Sequence, residues 1–116
     1  MPLLRESAAG RVVNVGSSAG SLTLNANPQL AYRNIFGAAY SPSKTALSAT
    51  TLTFAIELEK TNTKVNVVCP GYVATELNDS RGFPTVEQGA KQAVKMALIG
   101  PGGATGTFTD EDGTIP

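Results

Sequence analysis

The 116-residue sequence contains no histidine and a single cysteine, Cys69. Without histidine, the chain's own residues cannot form a serine–histidine or cysteine–histidine nucleophile pair, or an HExxH zinc site. A single cysteine excludes an internal disulfide and any cysteine-rich metal site. The sequence therefore predicts no metal centre, and any acid/base chemistry must use side chains other than imidazole.

A surplus of charge is also lacking, since nine basic and nine acidic side chains cancel at neutral pH. A nucleic-acid partner is not expected, because nucleic-acid binders need a basic surplus on one face. No run approaches the roughly 18 consecutive apolar residues of a membrane span, and residues 1–6 lead into no signal-peptide core. The apolar share of 41% is enough for a core, so we expect a soluble, cytoplasmic protein with no membrane partner.

Hydrophobic patterning predicts alternating strands and helices. The β-branched runs at residues 12–15 and 64–69 are typical of buried strands, and residues 106–109 form a short third strand. Residues 40–59 repeat apolar side chains every three or four positions, and residues 86–98 follow a Pro-Thr start, which predicts two helices. The order β-α-β-α-β without a hairpin signal predicts a parallel α/β sheet. Because two helices cover so little of a parallel sheet, this is expected to be part of a larger one.

Three further motifs each lack something that their chemistry requires. Residues 16–20 (GSSAG) match the G-x-S-x-G turn of hydrolases, whose serine needs a histidine that this chain does not contain. A phosphate loop of the GxxxxGKT type would need glycines where Ala38 and Ser43 stand. Residues 110–113 (DEDG) are followed by no bidentate glutamate, so a solvated acidic turn is expected there instead of a calcium loop.

Tyr40 and Lys44 are spaced to lie one turn apart on the same face of the predicted helix. A phenol has a pKa near ~10, and an adjacent ammonium group lowers that pKa by stabilising the phenolate. The positive end of the helix macrodipole acts in the same direction at a helix start. The pair therefore indicates a general acid/base that needs no histidine, with a purely structural pair as the alternative.

Three motifs occur in order where parallel strands end, which is the ligand-binding edge of open α/β sheets. They are residues 13–20 (VNVGSSAG), 40–44 (YSPSK) and 65–75 (VNVVCPGYVAT). On this ordered triple, the sequence closely resembles the C-terminal half of the short-chain dehydrogenase/reductase family, from about residue 10 to residue 109. The resemblance implies the C-terminal βαβαβ portion of a Rossmann-like, doubly wound parallel sheet.

The same resemblance implies roles for individual residues. Tyr40 would protonate or deprotonate the substrate oxygen, while Lys44 would lower the tyrosine pKa and hold the nicotinamide ribose. Ser17 would hydrogen-bond the substrate carbonyl or alcohol, with Ser18 as the alternative, and residues 25–36 would help to shape the substrate pocket. The implied cofactor-binding residues are Tyr40, Lys44, Pro70, Gly71, Val73 and Thr75.

The implied function is an NAD- or NADP-dependent oxidoreductase that transfers hydride between the nicotinamide and a small-molecule carbonyl or alcohol substrate. The protein is expected to form a homo-oligomer. The family's Gly-rich pyrophosphate turn and catalytic asparagine are not found in residues 1–116. Residues 1–116 are therefore predicted to be the catalytic portion, a fragment without the N-terminal cofactor-binding half, and residues 1–5 resemble the end of the missing helix. The alternatives are a non-catalytic remnant that pairs its sheet edge with another chain, and a flavodoxin-like binding module.

Overall fold

Three parallel strands form one sheet in the order β1-β2-β3. The computed structural model describes residues 1–116, with the side chain of Ile35 excepted. The strands are β1 (Arg11–Val15), β2 (Lys64–Val68) and β3 (Phe108–Thr109). The helices are α1 (Pro2–Glu6), α2 (Leu22–Ala26), α3 (Tyr40–Glu57) and α4 (Val86–Ala97). The predicted parallel α/β sheet is confirmed.

The central strand β2 is covered on both faces. Side chains of a strand alternate between the two faces of its sheet, and the four residues from Val65 to Val68 are all buried. Val65 packs with Ala55 and Leu58 of α3 in the apolar core. Helix α4 contacts β1 and β2, and its Gln92 donates a 2.7 Å hydrogen bond to the Thr109 hydroxyl of β3. The two long helices therefore lie on opposite faces of the sheet, which is the doubly wound arrangement.

Strand β1 is an edge strand within the part of the chain that the structure describes. It pairs only with β2, from Arg11 opposite Lys64 to Val15 opposite Val68. Its side chains are half-buried, and that of Val15 is 51% exposed, in contrast to the buried β2. The edge that faces away from β2 therefore carries backbone groups without a neighbouring strand.

Several predicted boundaries need correction. Strand β2 ends at Val68, one residue before the predicted end, and α3 ends at Glu57, where Leu58 leaves the helical conformation. Strand β3 is only two residues long, because Gly106 has a φ of 72° and the extended strand begins after it. The start of α3 at Tyr40 is as predicted.

The polar segment of residues 17–36 shows no apolar periodicity in the sequence, but it contains short helical elements. These are α2 and two 3₁₀ turns at Ser18–Gly20 and Arg33–Ile35. The Ser21 hydroxyl accepts a 3.1 Å hydrogen bond from the Leu24 N–H and so caps α2. Such local capping supports one helical turn without any apolar repeat, which is why periodicity did not predict it.

Helix α4 begins with a reciprocal cap between Thr85 and Gln88, whose side chains each bond the other residue's backbone N–H. Hydrogen bonds from its own backbone N–H and from the Thr85 hydroxyl lower the pKa of the Glu87 carboxyl from its ordinary value. An ionised carboxylate in the first turn suits the helix dipole.

No helix in the described residues is long and apolar enough to cross a membrane.

Candidate active site

The turn that carries Ser17 lies directly after β1. The Gly16 N–H donates a 2.8 Å hydrogen bond to Val68 O, so the β1–β2 ladder continues one residue past the strand. Ser17 is half-buried, and its hydroxyl accepts a hydrogen bond of 3.2 Å from the Ala19 N–H, which caps the 3₁₀ turn that follows. The predicted substrate-binding hydroxyl is therefore held at the carboxyl end of β1.

The buried thiol of Cys69 supports this turn from the next strand. The Ser18 N–H donates to Cys69 Sγ at 3.4 Å, within the range of sulfur hydrogen bonds. Strand β2 therefore helps to fix the turn through a residue that directly follows it. Sequence patterning gave Cys69 no role, because a lone cysteine in a buried strand is indistinguishable from an ordinary apolar residue.

Gly20 brings the start of α3 against the Ser17 turn. A Cβ atom at position 20 would lie 2.8 Å from the Lys44 carbonyl carbon and 2.9 Å from the Thr45 nitrogen, so a side chain would displace the helix backbone. The Thr45 hydroxyl donates a 2.8 Å hydrogen bond to Gly20 O across the same contact. This close approach sets the position of Tyr40 and Lys44 relative to β1.

Tyr40 and Lys44 lie together at the beginning of α3, as their spacing predicted. The Lys44 ammonium is 5.7 Å from the centroid of the Tyr40 ring, and the Tyr40 side chain is 56% exposed. Lys44 Nζ also donates a 2.9 Å hydrogen bond to Val15 O, the last carbonyl of β1. Lys44 therefore connects Tyr40 to the strand end, and Ser17 stands two residues beyond that end.

The predicted cofactor-binding residues after β2 form a separate loop. Gly71 has a φ of 78°, which favours glycine, and the Ala74 N–H donates a 3.0 Å bond to Pro84 O, so the loop folds back towards α4. Val73 packs against Gly89 of α4, where a Cβ would lie 2.4 Å from its methyl carbon. Pro70 precedes this loop, and Thr75 caps the 3₁₀ turn at Glu76–Asn78.

This loop begins directly after Cys69, at the carboxyl end of β2. Because β1 and β2 are parallel, this is the same edge of the sheet as the Ser17 turn. Within the described residues, no hydrogen bond joins Pro70, Gly71, Val73 or Thr75 to the Tyr40–Lys44 pair. The structure thus brings Tyr40, Lys44 and the end of β1 together, and no hydrogen bond in the described residues connects the loop after β2 to them.

Comparison with known proteins shows the family to which the chain belongs. A model of the short chain dehydrogenase family matches residues 1–83. The salutaridine reductase of Papaver bracteatum is 35% identical over 143 aligned residues, which cover 95% of this chain and 45% of that protein. The chain belongs to the short-chain dehydrogenase family.

Solved structures agree with this membership. The structure of salutaridine reductase from Papaver somniferum superposes with a TM-score of 0.76 at 33% identity, over 95% of this chain and 48% of that one. The carbonyl reductase Sniffer of D. melanogaster gives a TM-score of 0.75 at 25% identity, over 98% of this chain and 48% of the other. The chain spans about half the length of the curated relatives that it matches.

Proposed function

We propose that residues 1–116 form the catalytic, substrate-side portion of an oxidoreductase that uses NAD or NADP to interconvert a carbonyl compound and an alcohol. The observation that carries this proposal is the double contact of Lys44, which lies over the Tyr40 ring and binds the carbonyl at the end of β1. The relatives that the chain matches include proteins named as reductases and as dehydrogenases, which supports the same reaction class.

The donor set at Lys44 suits a ribose. An ammonium group has three N–H donors, and within the described residues Lys44 uses one of them on Val15 O. The others can donate to sugar hydroxyls, while the exposed Tyr40 phenol remains accessible to a substrate oxygen. Pro70, Gly71, Val73 and Thr75 would line the nicotinamide side. When bound there, the cofactor supplies the hydride for reduction or accepts it in the reverse direction.

The chain's own residues would carry out the proton transfer. In the direction of reduction, the Tyr40 hydroxyl donates its proton to the substrate oxygen and becomes a phenolate. The neighbouring Lys44 ammonium stabilises that phenolate, because opposite charges at this separation attract. Ser17 donates a hydrogen bond to the same oxygen and orients the carbonyl. In the oxidation direction the phenolate accepts the alcohol proton, so the same three side chains act in reverse.

The test uses a fused enzyme, in which this chain is joined to the N-terminal half of the salutaridine reductase of Papaver bracteatum. Tyr40→Phe removes only the phenolic oxygen and should lower kcat for aldehyde reduction by about 100- to 10,000-fold, equivalent to about 3–5 kcal/mol of barrier. Lys44→Met should be comparably damaging. Thermal unfolding should change little in Tyr40→Phe, because Tyr40 is 56% exposed. It should change only slightly more in Lys44→Met, which removes one exposed hydrogen bond to Val15 O.

Lys60→Met is the matched control for Lys44→Met, since Lys60 is exposed and lies beyond the C-terminal end of α3, away from Tyr40. It should retain nearly full activity. A fused enzyme that stays active with Tyr40→Phe would contradict the assignment of Tyr40 as the acid/base.

A further inference from the structure

An open cavity of about 470 Å³ lies within the segment that joins Ser17 to Tyr40. We call it the Arg33 cavity; its lining residues are Leu22, Asn25, Ala26, Arg33 and Phe36. Three of these side chains are apolar, one is a neutral amide and one is a cation. A volume of this size lies within the ordinary range for small-molecule sites. The walls thus suit a ligand with an apolar body and a single polar or anionic end.

Arg33 is held in place at this cavity through one of its nitrogens. Its Nε donates a 3.0 Å hydrogen bond to the backbone oxygen of Asn25. Among the described residues, its guanidinium makes no other hydrogen bond and no ion pair. The terminal nitrogens Nη1 and Nη2 can therefore bind a ligand, and their planar fork matches the two oxygens of a carboxylate.

Asn25 gives a second, independent indication of a ligand. Its side chain is only 7% exposed, and its Nδ2 donates to Ser18 O at 3.0 Å and to Ser21 O at 2.7 Å. Its Oδ1 is buried and has no hydrogen-bond partner in the described part of the chain. An unpaired buried amide oxygen is costly, so a small movement of the cavity wall that lets a ligand hydroxyl donate to it would be favourable.

The hydrogen bonds of Asn25 connect the cavity to the proposed reaction site. The Ser18 carbonyl that Asn25 binds belongs to the residue next to Ser17, so the cavity wall and the Ser17 turn are joined by one hydrogen bond. A ligand that orders Asn25 and Arg33 would therefore also order the turn that presents the Ser17 hydroxyl.

We infer that the substrate carries a carboxylate, which the Arg33 cavity binds while the carbonyl or alcohol of the same molecule reaches Ser17 and Tyr40. This inference rests on the proposed function for the reacting end, but the carboxylate contact can be measured without turnover. The substrate class is then a carbonyl or hydroxy acid with an apolar body between its two polar ends.

The test is a titration of the isotope-labelled 116-residue chain, followed by nuclear magnetic resonance. The two probes are para-(hydroxymethyl)benzoate and para-methylbenzyl alcohol, which share an apolar ring and an alcohol and differ in the carboxylate. The benzoate should shift the side-chain signals of Arg33 Nε and Asn25 Nδ2, and it should bind about tenfold more tightly, as expected for a charge-assisted hydrogen bond.

Substitutions of Arg33 test whether this residue causes the preference for the benzoate over the alcohol. Arg33→Met should reduce the affinity ratio of the two probes to about one, and Arg33→Lys should keep part of it because the charge remains. Arg81→Met is the matched control: Arg81 is an exposed loop arginine paired with Asp79 at 2.7 Å, and its loss should leave the ratio unchanged.

Equal binding of the two probes by the unmodified chain, or a preference that survives in Arg33→Met, would overturn the carboxylate assignment. Either result would leave the role of Tyr40 untouched. The opposite combination is also informative. If the preference for the benzoate depends on Arg33 but the fused enzyme stays active with Tyr40→Phe, carboxylate binding in the Arg33 cavity is supported and only the proposed reaction is contradicted.

Discussion

At the scale of single residues, Lys44 joins Tyr40 to the end of β1 through two contacts. Its i, i+4 relation to Tyr40 could be predicted, because helical periodicity places the two side chains on one face. Its hydrogen bond to Val15 O could not, because that contact depends on how closely α3 approaches the end of β1. The same holds for Cys69, whose contact with the Ser18 N–H joins two strands.

Ser17 and Ser18 are adjacent but are held in different ways, which allows their roles to be separated. The Ser17 hydroxyl accepts a hydrogen bond from the Ala19 N–H, whereas Ser18 is bound through its backbone groups. In the fused enzyme, Ser17→Ala should lower kcat/KM by about 100-fold, as expected when a donor to the reacting oxygen is lost. Ser18→Ala should change kcat/KM by only a few-fold.

Because Ser17 also caps a turn, its loss has a structural component of about 1 kcal/mol. Ser17→Thr keeps a hydroxyl group and should recover much of the activity, whereas a purely structural role would make thermal stability and activity fall in parallel in Ser17→Ala. Equal losses from Ser17→Ala and Ser18→Ala would instead contradict the choice of Ser17.

At the scale of elements, the long regular segments could be predicted and the irregular ones could not. Helix α3 follows from apolar periodicity, because it buries one face, and strand β2 follows from a β-branched run, because it is buried on both faces. Helix α2 and the two 3₁₀ turns depend on local caps such as Ser21 and leave no repeating pattern. The Arg33 cavity lies in that segment; the family resemblance implied a substrate pocket there, but no pattern in the sequence indicated which side chains line the cavity.

The outer edge of β1 should make the chain self-associate. Gly16 N and Gly10 O both bond to β2, and backbone groups of a strand alternate in direction, so those of Val13 point away from the sheet. Unpaired edges recruit other strands. We expect concentration-dependent oligomers in light scattering, and Val13→Pro, which removes an outward N–H, should reduce them.

Leu3→Lys is the control for this prediction. Leu3 is 82% exposed on α1, so the change removes an apolar surface group without altering the strand edge. It should leave the oligomers intact. A clean monomer for the unmodified chain at high concentration would count against edge pairing, and so would oligomers that respond to Leu3→Lys and not to Val13→Pro.

At the scale of the whole molecule, the chain covers 45% of the Papaver bracteatum reductase. It contains the predicted reaction site, but no Gly-rich turn at a helix N-terminus, which is the usual anchor for a dinucleotide pyrophosphate. We therefore expect weak or undetectable binding of NAD(H) and NADP(H) by residues 1–116 alone, measured by calorimetry. Micromolar affinity would contradict the proposal that cofactor binding requires an N-terminal half in addition to residues 1–116.

The most direct test of the central claim is complementation, with the absorbance of the reduced nicotinamide followed during aldehyde reduction. Residues 1–116 alone and the N-terminal half of the Papaver bracteatum reductase alone should each be inactive. The fused enzyme should turn over, and it should lose that turnover with Tyr40→Phe. A folded fusion that shows no turnover, or turnover that survives Tyr40→Phe, would contradict the claim that these residues supply the catalytic site.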